Sequence, residues 1–240
     1  MLSIKEIKQK AYRKREDPIY AFMDYLAYYP AKLFLLTSIT PNQITIIWIL
    51  GQLLSALLLT TGNPTIMLIG IVSFQAMFIL DCTDGIVARY KKQFSLNGVY
   101  LDNLGSYICN ATLLLSFSIG VSKLYNDILY LVIGLVLVGI FLINKAGTVN
   151  PGWYGNPQQQ QAILATQKAS GIKNQKKILY YVFAFLRLEY FFNLMFWGTL
   201  LGYAQYVLII YTLAYLVETT RKLSLQFIKN QKLDKKLQNT

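Results

Sequence analysis

Six long apolar segments dominate this sequence of 240 residues and restrict what it can fold into. A helix needs about 20 residues to cross the hydrocarbon core of a bilayer. Hydrophobic residues make up 55% of the chain, more than an ordinary soluble domain contains. We therefore predict an all-α integral membrane protein with six transmembrane helices. The segments cover roughly residues 42–61, 64–88, 98–122, 126–148, 188–203 and 205–226.

Residues 1–36 precede the first predicted span and differ from it in composition. Ile4, Ile7 and Ala11 recur at helical spacing among lysines and arginines, and residues 20–36 are apolar with one aspartate among them. This pattern predicts an amphipathic, cytoplasmic helical segment that lies in the membrane interface.

The transmembrane domain is predicted to cover residues 37–228. Thr40 is placed to cap its first helix. Pro41 suits the first turn because proline has no amide hydrogen and the amides of a first turn have no partner within the helix. A polar cytoplasmic loop, 146–177, interrupts the spans and is either a functional lid or a flexible connection. Residues 229–240 are predicted to form a basic cytoplasmic tail, and no second domain is evident.

The net charge of +12 is unevenly distributed around the predicted spans. With six crossings, only Lys123 falls in a loop on one side of the membrane. Four clusters of Lys and Arg, given at the end of this paragraph, lie on the opposite side. Because Lys and Arg are enriched in cytoplasmic loops, both termini and the functional site are predicted to be cytoplasmic. Basic residues placed between spans argue against a nucleic-acid partner. The clusters are 5–15, 89–92, 145–177 and 221–236.

Asp81, Asp84 and Asp102 lie within or at the ends of apolar spans. An ionised side chain near the bilayer centre costs about 2.5 to 3.5 kcal/mol, so three together indicate a bound cation. The chain has no histidine, which excludes the commonest general base and leaves acid–base chemistry to carboxylates. Cys82 and Cys109 sit inside spans and do not form a thiolate zinc pattern. Carboxylates alone favour Mg²⁺ or Mn²⁺.

Helical spacing places these aspartates on two faces that also carry small residues. Packing the faces together would bring the three carboxylates to one point near the cytoplasmic surface, with room for a ligand. Arg89 is then placed to meet phosphate groups. Two alternative functions would also place aspartates inside the membrane: a structural ion pair and a cation transporter. The first face comprises Asp81, Asp84, Gly85 and Ala88, with Arg89 at its edge, and the second comprises Gly98, Asp102 and Gly105.

The complete string from Asp81 to Asp102, DxxDGxxARx8GxxxD, resembles the signature of the CDP-alcohol phosphotransferase family, also called CDP-alcohol phosphatidyltransferases. Residues 40–45 also resemble the start of that family's first span. The resemblance implies six membrane helices, a homodimer and an active site open to the cytoplasm. It also implies transfer of a phosphoryl-alcohol group from a CDP-linked donor to an acceptor alcohol among membrane lipids, with release of CMP.

The resemblance assigns roles to individual residues. It implies that Asp81, Asp84 and Asp102 hold a binuclear metal site, and that the small residues and the arginine contact the CDP moiety. Lys145 and Arg187, near the cytoplasmic ends of two predicted spans, are placed either to contact phosphate or to reach the interface with their charged ends. The residues implied to contact CDP are Gly85, Ala88, Arg89 and Gly98.

The sequence departs from the family pattern at Ser106, where the family has a fourth aspartate that serves as general base. A neutral hydroxyl cannot accept a proton at pH 7 as a carboxylate does. Three explanations remain: the acceptor is already an anion or is deprotonated by the metal, another carboxylate such as Glu189 replaces the base, or turnover is lost. In the last case the protein would be a non-catalytic member that binds a CDP-linked or lipid ligand.

Overall fold

A computed structural model describes residues 2–13, 18–147 and 188–238, and these residues form eight helices and no strand. Arg187 and nearly all of the predicted loop 146–177 lie outside the described residues. The helices are α1 (Ile4–Ala11), α2 (Pro18–Leu35), α3 (Pro41–Leu59), α4 (Pro64–Lys91), α5 (Leu96–Tyr125), α6 (Leu129–Ala146), α7 (Leu188–Leu200) and α8 (Ala204–Gln238).

Four of the described helices, α3 to α6, are long and apolar enough to cross a membrane. The all-helical class predicted from the sequence is therefore confirmed, and the four long apolar helices agree with a multi-pass membrane protein. The two remaining predicted spans coincide with α7, which has 13 residues, and with the first part of α8, whose second half is strongly charged. The number of six crossings stays a prediction.

Short-range signals account for where the central helices begin and end. Thr40 caps α3 and forms a capping box with Gln43, and Pro41 occupies the first turn, as predicted. Asn63 caps α4 by accepting from the amides of residues 65 and 66, and a proline again occupies the first turn. The four-residue connection from α4 to α5 begins at Lys92, whose φ of 54° ends α4 in a left-handed conformation.

Helix α3 is the centre of the packing. It packs along α4 and along α5, whereas α4 and α5 contact each other over a much shorter stretch. Helices α6, α7 and α8 complete the bundle around a core that includes Trp48, Phe117 and Phe191. The two aspartate-bearing helices therefore meet mainly through a third helix, and not by direct packing along their length.

Helices α1 and α2 pack against the end of α4 and form a second apolar cluster there. Ile7 and Ala11 of α1 are fully buried in this cluster, together with Ile86 and Val87 of α4. Lys91 ties the same end of α4 to the chain before α3, because its Nζ donates to the carbonyl oxygens of residues 37 and 39 at 3.2 and 2.8 Å. The amino-terminal segment is thus fixed to the bundle.

Two glycines allow the close packing of α5 to be tested. A Cβ atom at Gly120 would meet the backbone oxygen of Leu59, at the end of α3, and the side chain of Met67. Gly139 on α6 has open space at the same position. The contact at Gly120 involves a backbone atom, which cannot move aside without shifting a helix.

We expect Gly120→Ala to destabilise the protein and Gly139→Ala to leave its stability unchanged or slightly higher. Overpacking costs about 1 to 3 kcal/mol, and alanine recovers at most about 1 kcal/mol through its helix propensity. Thermal unfolding midpoints of both variants in one detergent provide the comparison. Equal midpoints would contradict the close approach of α5 to the end of α3.

Candidate active site

Three aspartate side chains converge where α4 and α5 pass the amino-terminal half of α3. Asp81 and Asp84 come from α4 and Asp102 from α5, and one carboxylate oxygen from each lies within 4.8 Å of the others. Asp84 is buried and the other two are partly buried. The carboxylates of Asp81 and Asp102 are within hydrogen-bonding reach of each other. Such closeness of like charges favours a cation among them.

Helix α3 supplies two donors to the most buried of these carboxylates. The hydroxyl of Thr45 donates to Asp84 Oδ2 at 2.6 Å, and the indole Nε1 of Trp48 donates to the same oxygen at 3.0 Å. A carboxylate that is only 8% exposed needs such partners, because burying an unpaired charge is costly. Both donors are neutral, so they orient Asp84 without cancelling the negative charge of the cluster.

A cleft of about 160 Å³ opens beside the aspartates and is lined by three helices and one connection. Helices α3 and α5 begin at this cleft and α4 ends there. The amino-terminal ends of two helices therefore face the cleft, and such ends favour anions. The lining residues are Pro41, Asn42, Thr45, Asp84, Gly85, Ala88, Arg89, Gln93, Phe94, Ser95, Gly98, Val99 and Asp102.

Arg89 brings a positive charge to the wall of the cleft. Its Nε donates to the carbonyl oxygen of Ala11, the last residue of α1, at 2.8 Å. Its Nη1 lies 3.2 Å from the position that a Cβ atom on Gly85 would take. The guanidinium group thus folds back over Gly85, and a larger residue there would push it away from this position.

Gly98 permits the close approach of the two helix starts. A Cβ atom at Gly98 would lie 2.6 Å from Asn42 Oδ1 and 2.9 Å from Ser95 Oγ. Ser95 caps α5 by accepting from the Gly98 amide at 2.9 Å, and Asn42 Nδ2 donates to the same Ser95 oxygen at 3.3 Å. Polar groups of α3 and α5 therefore meet directly at the mouth of the cleft.

The structure does not bring every candidate residue into the cleft. Ala88 lines it, whereas Ser106 is partly buried one helical turn beyond Asp102, on the same face of α5. Lys145 lies over the aromatic rings of Tyr107 and Phe141, at 5.3 and 5.5 Å from their centroids. Arg187 and the side chain of Glu189 lie outside the described residues.

Sequence reasoning missed the contribution of α3 to the site. The predicted span 42–61 contains Thr45 and Trp48, but their sequence positions alone assign no role in the site to them, and none to Asn42 or Ser95. The sequence contains a usable signal, because Thr45, Trp48, Gln52 and Ser55 recur every three or four residues. In the structure all four are buried on one face of α3. Polar groups along one stripe of a membrane helix indicate a partner on that side.

The residues at the cluster fit a divalent metal ion that prefers oxygen ligands. All the acidic groups that converge here are aspartates, and their oxygens are close enough together to share an ion. The described cysteines are buried and do not belong to this group. The donor set agrees better with Mg²⁺ or Mn²⁺ than with a metal that prefers sulfur.

Comparison with known proteins gives one clear result. A protein-family model described as CDP-alcohol phosphatidyltransferase matches residues 38–217, which is most of the chain. The matched region contains the three aspartates, the cleft and the α3 donors. No curated protein sequence matches the chain.

We expect Thr45→Val to weaken Mn²⁺ binding about 10-fold to 100-fold, the usual effect of losing a hydrogen bond to a metal ligand. Thr45→Ser keeps the hydroxyl and should bind nearly as the native protein does. Electron paramagnetic resonance titration with Mn²⁺ measures the affinity.

Thr212→Val is the matched control for this variant. Thr212 is a buried threonine on α8 whose hydroxyl donates to the carbonyl oxygen of Leu208 at 2.7 Å. The Thr212→Val variant should leave the Mn²⁺ affinity unchanged. If Thr45→Val and Thr212→Val bind Mn²⁺ equally well, the hydroxyl of Thr45 does not orient a metal ligand.

Proposed function

Because this chain belongs to the CDP-alcohol phosphatidyltransferase family, we propose that it moves a phosphoryl-alcohol group of the phosphatidyl type from a CDP-linked donor to an acceptor alcohol. CMP is released, and the product is a phospholipid or a related polar lipid. The observation that carries the proposal is the convergence of Asp81, Asp84 and Asp102 beside a cleft that also holds Arg89.

The cleft has the features that a diphosphate requires. Arg89 provides a cation with several donors, and α3 and α5 turn their amino-terminal ends toward the same space. Gly85, Ala88 and Gly98 are small residues of the wall, and the space over Gly85 and Gly98 is taken by the polar side chains of Arg89 and Asn42. Arg89 and the three small residues form the proposed CDP site.

Mg²⁺ or Mn²⁺ would be held by Asp81, Asp84 and Asp102. When bound, the metal would neutralise charge on the diphosphate and polarise it toward attack. Thr45 and Trp48 hold Asp84 in one orientation through their hydrogen bonds to Oδ2. Asp84 is therefore oriented before a substrate binds.

The transfer forms one bond and breaks one. The acceptor oxygen bonds to the phosphorus distal to cytidine, and the bond from that phosphorus to the bridging anhydride oxygen breaks, so that CMP leaves. The acceptor hydroxyl must lose its proton, and the neutral Ser106 is a poor recipient for it. Three alternatives would meet this need: an acceptor that is already anionic, an acceptor that the bound metal deprotonates, or a carboxylate such as that of Glu189 that takes the proton.

A second candidate function follows from Ser106. A member of the family that has lost its general base would still bind a CDP-linked or lipid ligand through the cleft. Metal-dependent release of CMP distinguishes the enzyme from this binding protein and from a cation transporter, which would instead conduct ions into vesicles.

The proposed orientation places both termini and the cleft on the cytoplasmic side. It is supported by Lys10, Arg89 and Lys91, which lie at the same end of the bundle as the cleft. The homodimer belongs to the same proposal and rests on the family resemblance. The phosphate contacts of Lys145 and Arg187 also belong to it and rest on the positions of these residues near the cytoplasmic ends of two predicted spans.

We expect Asp84→Asn to reduce metal-dependent CMP release at least about 100-fold, because metal stabilisation of the transition state amounts to several kcal/mol. The assay uses purified protein in lipid nanodiscs with a panel of CDP-linked donors and alcohols, and with Mg²⁺, Mn²⁺ or a chelator. Asparagine can still accept from Thr45 and Trp48, so the fold should survive.

Glu218→Gln is the control for this experiment. Glu218 is a buried carboxylate on α8 that pairs with Arg221 at 2.7 Å, away from the three aspartates. Its variant should keep CMP release when it is folded. Full activity of Asp84→Asn would refute the metal-site assignment, and absent CMP release with intact metal-dependent CDP binding would favour the binding protein.

We expect Ser106→Asp to accelerate CMP release by about 10² to 10⁴ if a missing base limits the rate. Ser106→Asn is the matched variant, because it has nearly the same shape and cannot accept the proton. Steady-state kcat of the three proteins gives the answer. Unchanged or lower activity in folded Ser106→Asp would mean that the site is built around a different acceptor or base.

A further inference from the structure

The carboxyl end of α1 reaches the cleft through one hydrogen bond. Arg89 Nε donates to the Ala11 carbonyl oxygen at 2.8 Å, across 78 residues of sequence. Ala11 is the last residue of α1, and carbonyl groups in the last turn of a helix have no partner within the helix. These groups also carry the negative end of the helix dipole, which favours a guanidinium group.

Several contacts hold α1 in place around this bond. Ile7 and Ala11 are fully buried against the apolar face of α4. Tyr90, the neighbour of Arg89, donates its hydroxyl to Glu6 Oε1 at 3.1 Å, and Lys10 pairs with the same oxygen at 2.9 Å. The hydrogen bonds from Lys10 and Tyr90 lower the pKa of Glu6, so this carboxylate is charged at neutral pH.

Helix α2 packs against α1 and faces the same arginine. Lys8 Nζ lies 4.6 Å from the ring centroid of Tyr25 and 5.5 Å from that of Tyr28. Burial and the charge of Asp24 raise the pKa of Tyr28, and the positive charge of Arg89 opposes this rise. Arg89 thus lies near α1, α2 and the cleft at the same time.

We propose that α1 is a positioning element for Arg89, and that its seating on α4 sets the affinity of the cleft for the diphosphate of a CDP-linked ligand. The Ala11 carbonyl holds one edge of the guanidinium group, while Nη1 lies over Gly85 at the cleft wall. This inference rests on the proposed role of Arg89 in the CDP site. It adds a segment outside the region matched by the family model to the binding machinery.

The first experiment separates α1 from α4 and measures CDP binding in nanodiscs that contain Mn²⁺. Ile7→Asn places a polar group in the buried contact, and Ile7→Val is the matched control that keeps the contact apolar. Cleavage by trypsin after Lys5, Lys8 or Lys10 reports whether α1 has separated. Ile7→Pro is the second variant, because it removes the hydrogen bond from the Ile7 amide to the Ser3 carbonyl and disrupts α1.

A double-mutant cycle with Arg89→Ala then tests whether α1 acts through the arginine. We expect Arg89→Ala to weaken CDP binding about 10-fold to 100-fold, as the loss of a charged hydrogen bond would. Separation of α1 should weaken binding about 10-fold in the native background. In the Arg89→Ala background it should have an effect of no more than about twofold.

The outcomes distinguish the failure of this inference from the failure of the proposed function. If separation of α1 and Arg89→Ala weaken CDP binding by independent, multiplying factors, α1 has only a structural role. Unchanged CDP binding in the variants with a separated α1 also overturns the inference, while Arg89 keeps its role. If Arg89→Ala binds CDP as tightly as the native protein, the proposed CDP site fails and the inference fails with it.

Discussion

The hydrogen bonds to Asp84 are the interaction on which the rest of this architecture depends. A buried carboxylate in a membrane bundle requires donors, and Thr45 and Trp48 provide two to a single oxygen. That requirement places α3 against α4 at the level of the aspartates. Because α3 also packs along α5, Asp102 is brought to the same point, and the three carboxylates form one site.

The cleft beside this site is made mainly from helix ends, and the short connection from α4 to α5 completes its wall. Helices α3 and α5 start there and α4 stops there, so the cleft combines two positive helix ends with the guanidinium group of Arg89. Gly85 and Gly98 keep side chains out of the space that Arg89 and Asn42 occupy. A wall that carries positive charge therefore lies directly beside an acidic cluster, and the proposed metal-assisted reaction of a diphosphate would use both.

Local signals made much of the fold predictable. The start of α3 follows from Thr40 and Pro41, because capping depends on neighbouring residues only. The motif from Asp81 to Asp102 pointed to the family that the comparison then showed. The contribution of Trp48 was not predicted, because an aromatic residue in an apolar span is as easily a lipid contact. The docking of α1 against Arg89 involves partners 78 residues apart, and no local pattern reports such a contact.

The sequence by itself determined the membrane class, most boundaries of the central helices and the identity of the acidic residues, because hydropathy and capping act over short distances. Only the tertiary structure decided which helix lies between α4 and α5, which donors orient Asp84 and which carbonyl holds Arg89. Hydropathy identifies a helix that is buried in a bilayer. The hydropathy of such a helix is nearly the same on all its faces, so it does not show which face meets which neighbour. The choice of neighbours then depends on packing at small residues such as Gly98 and Gly120, and on the pairing of a few polar groups across helices.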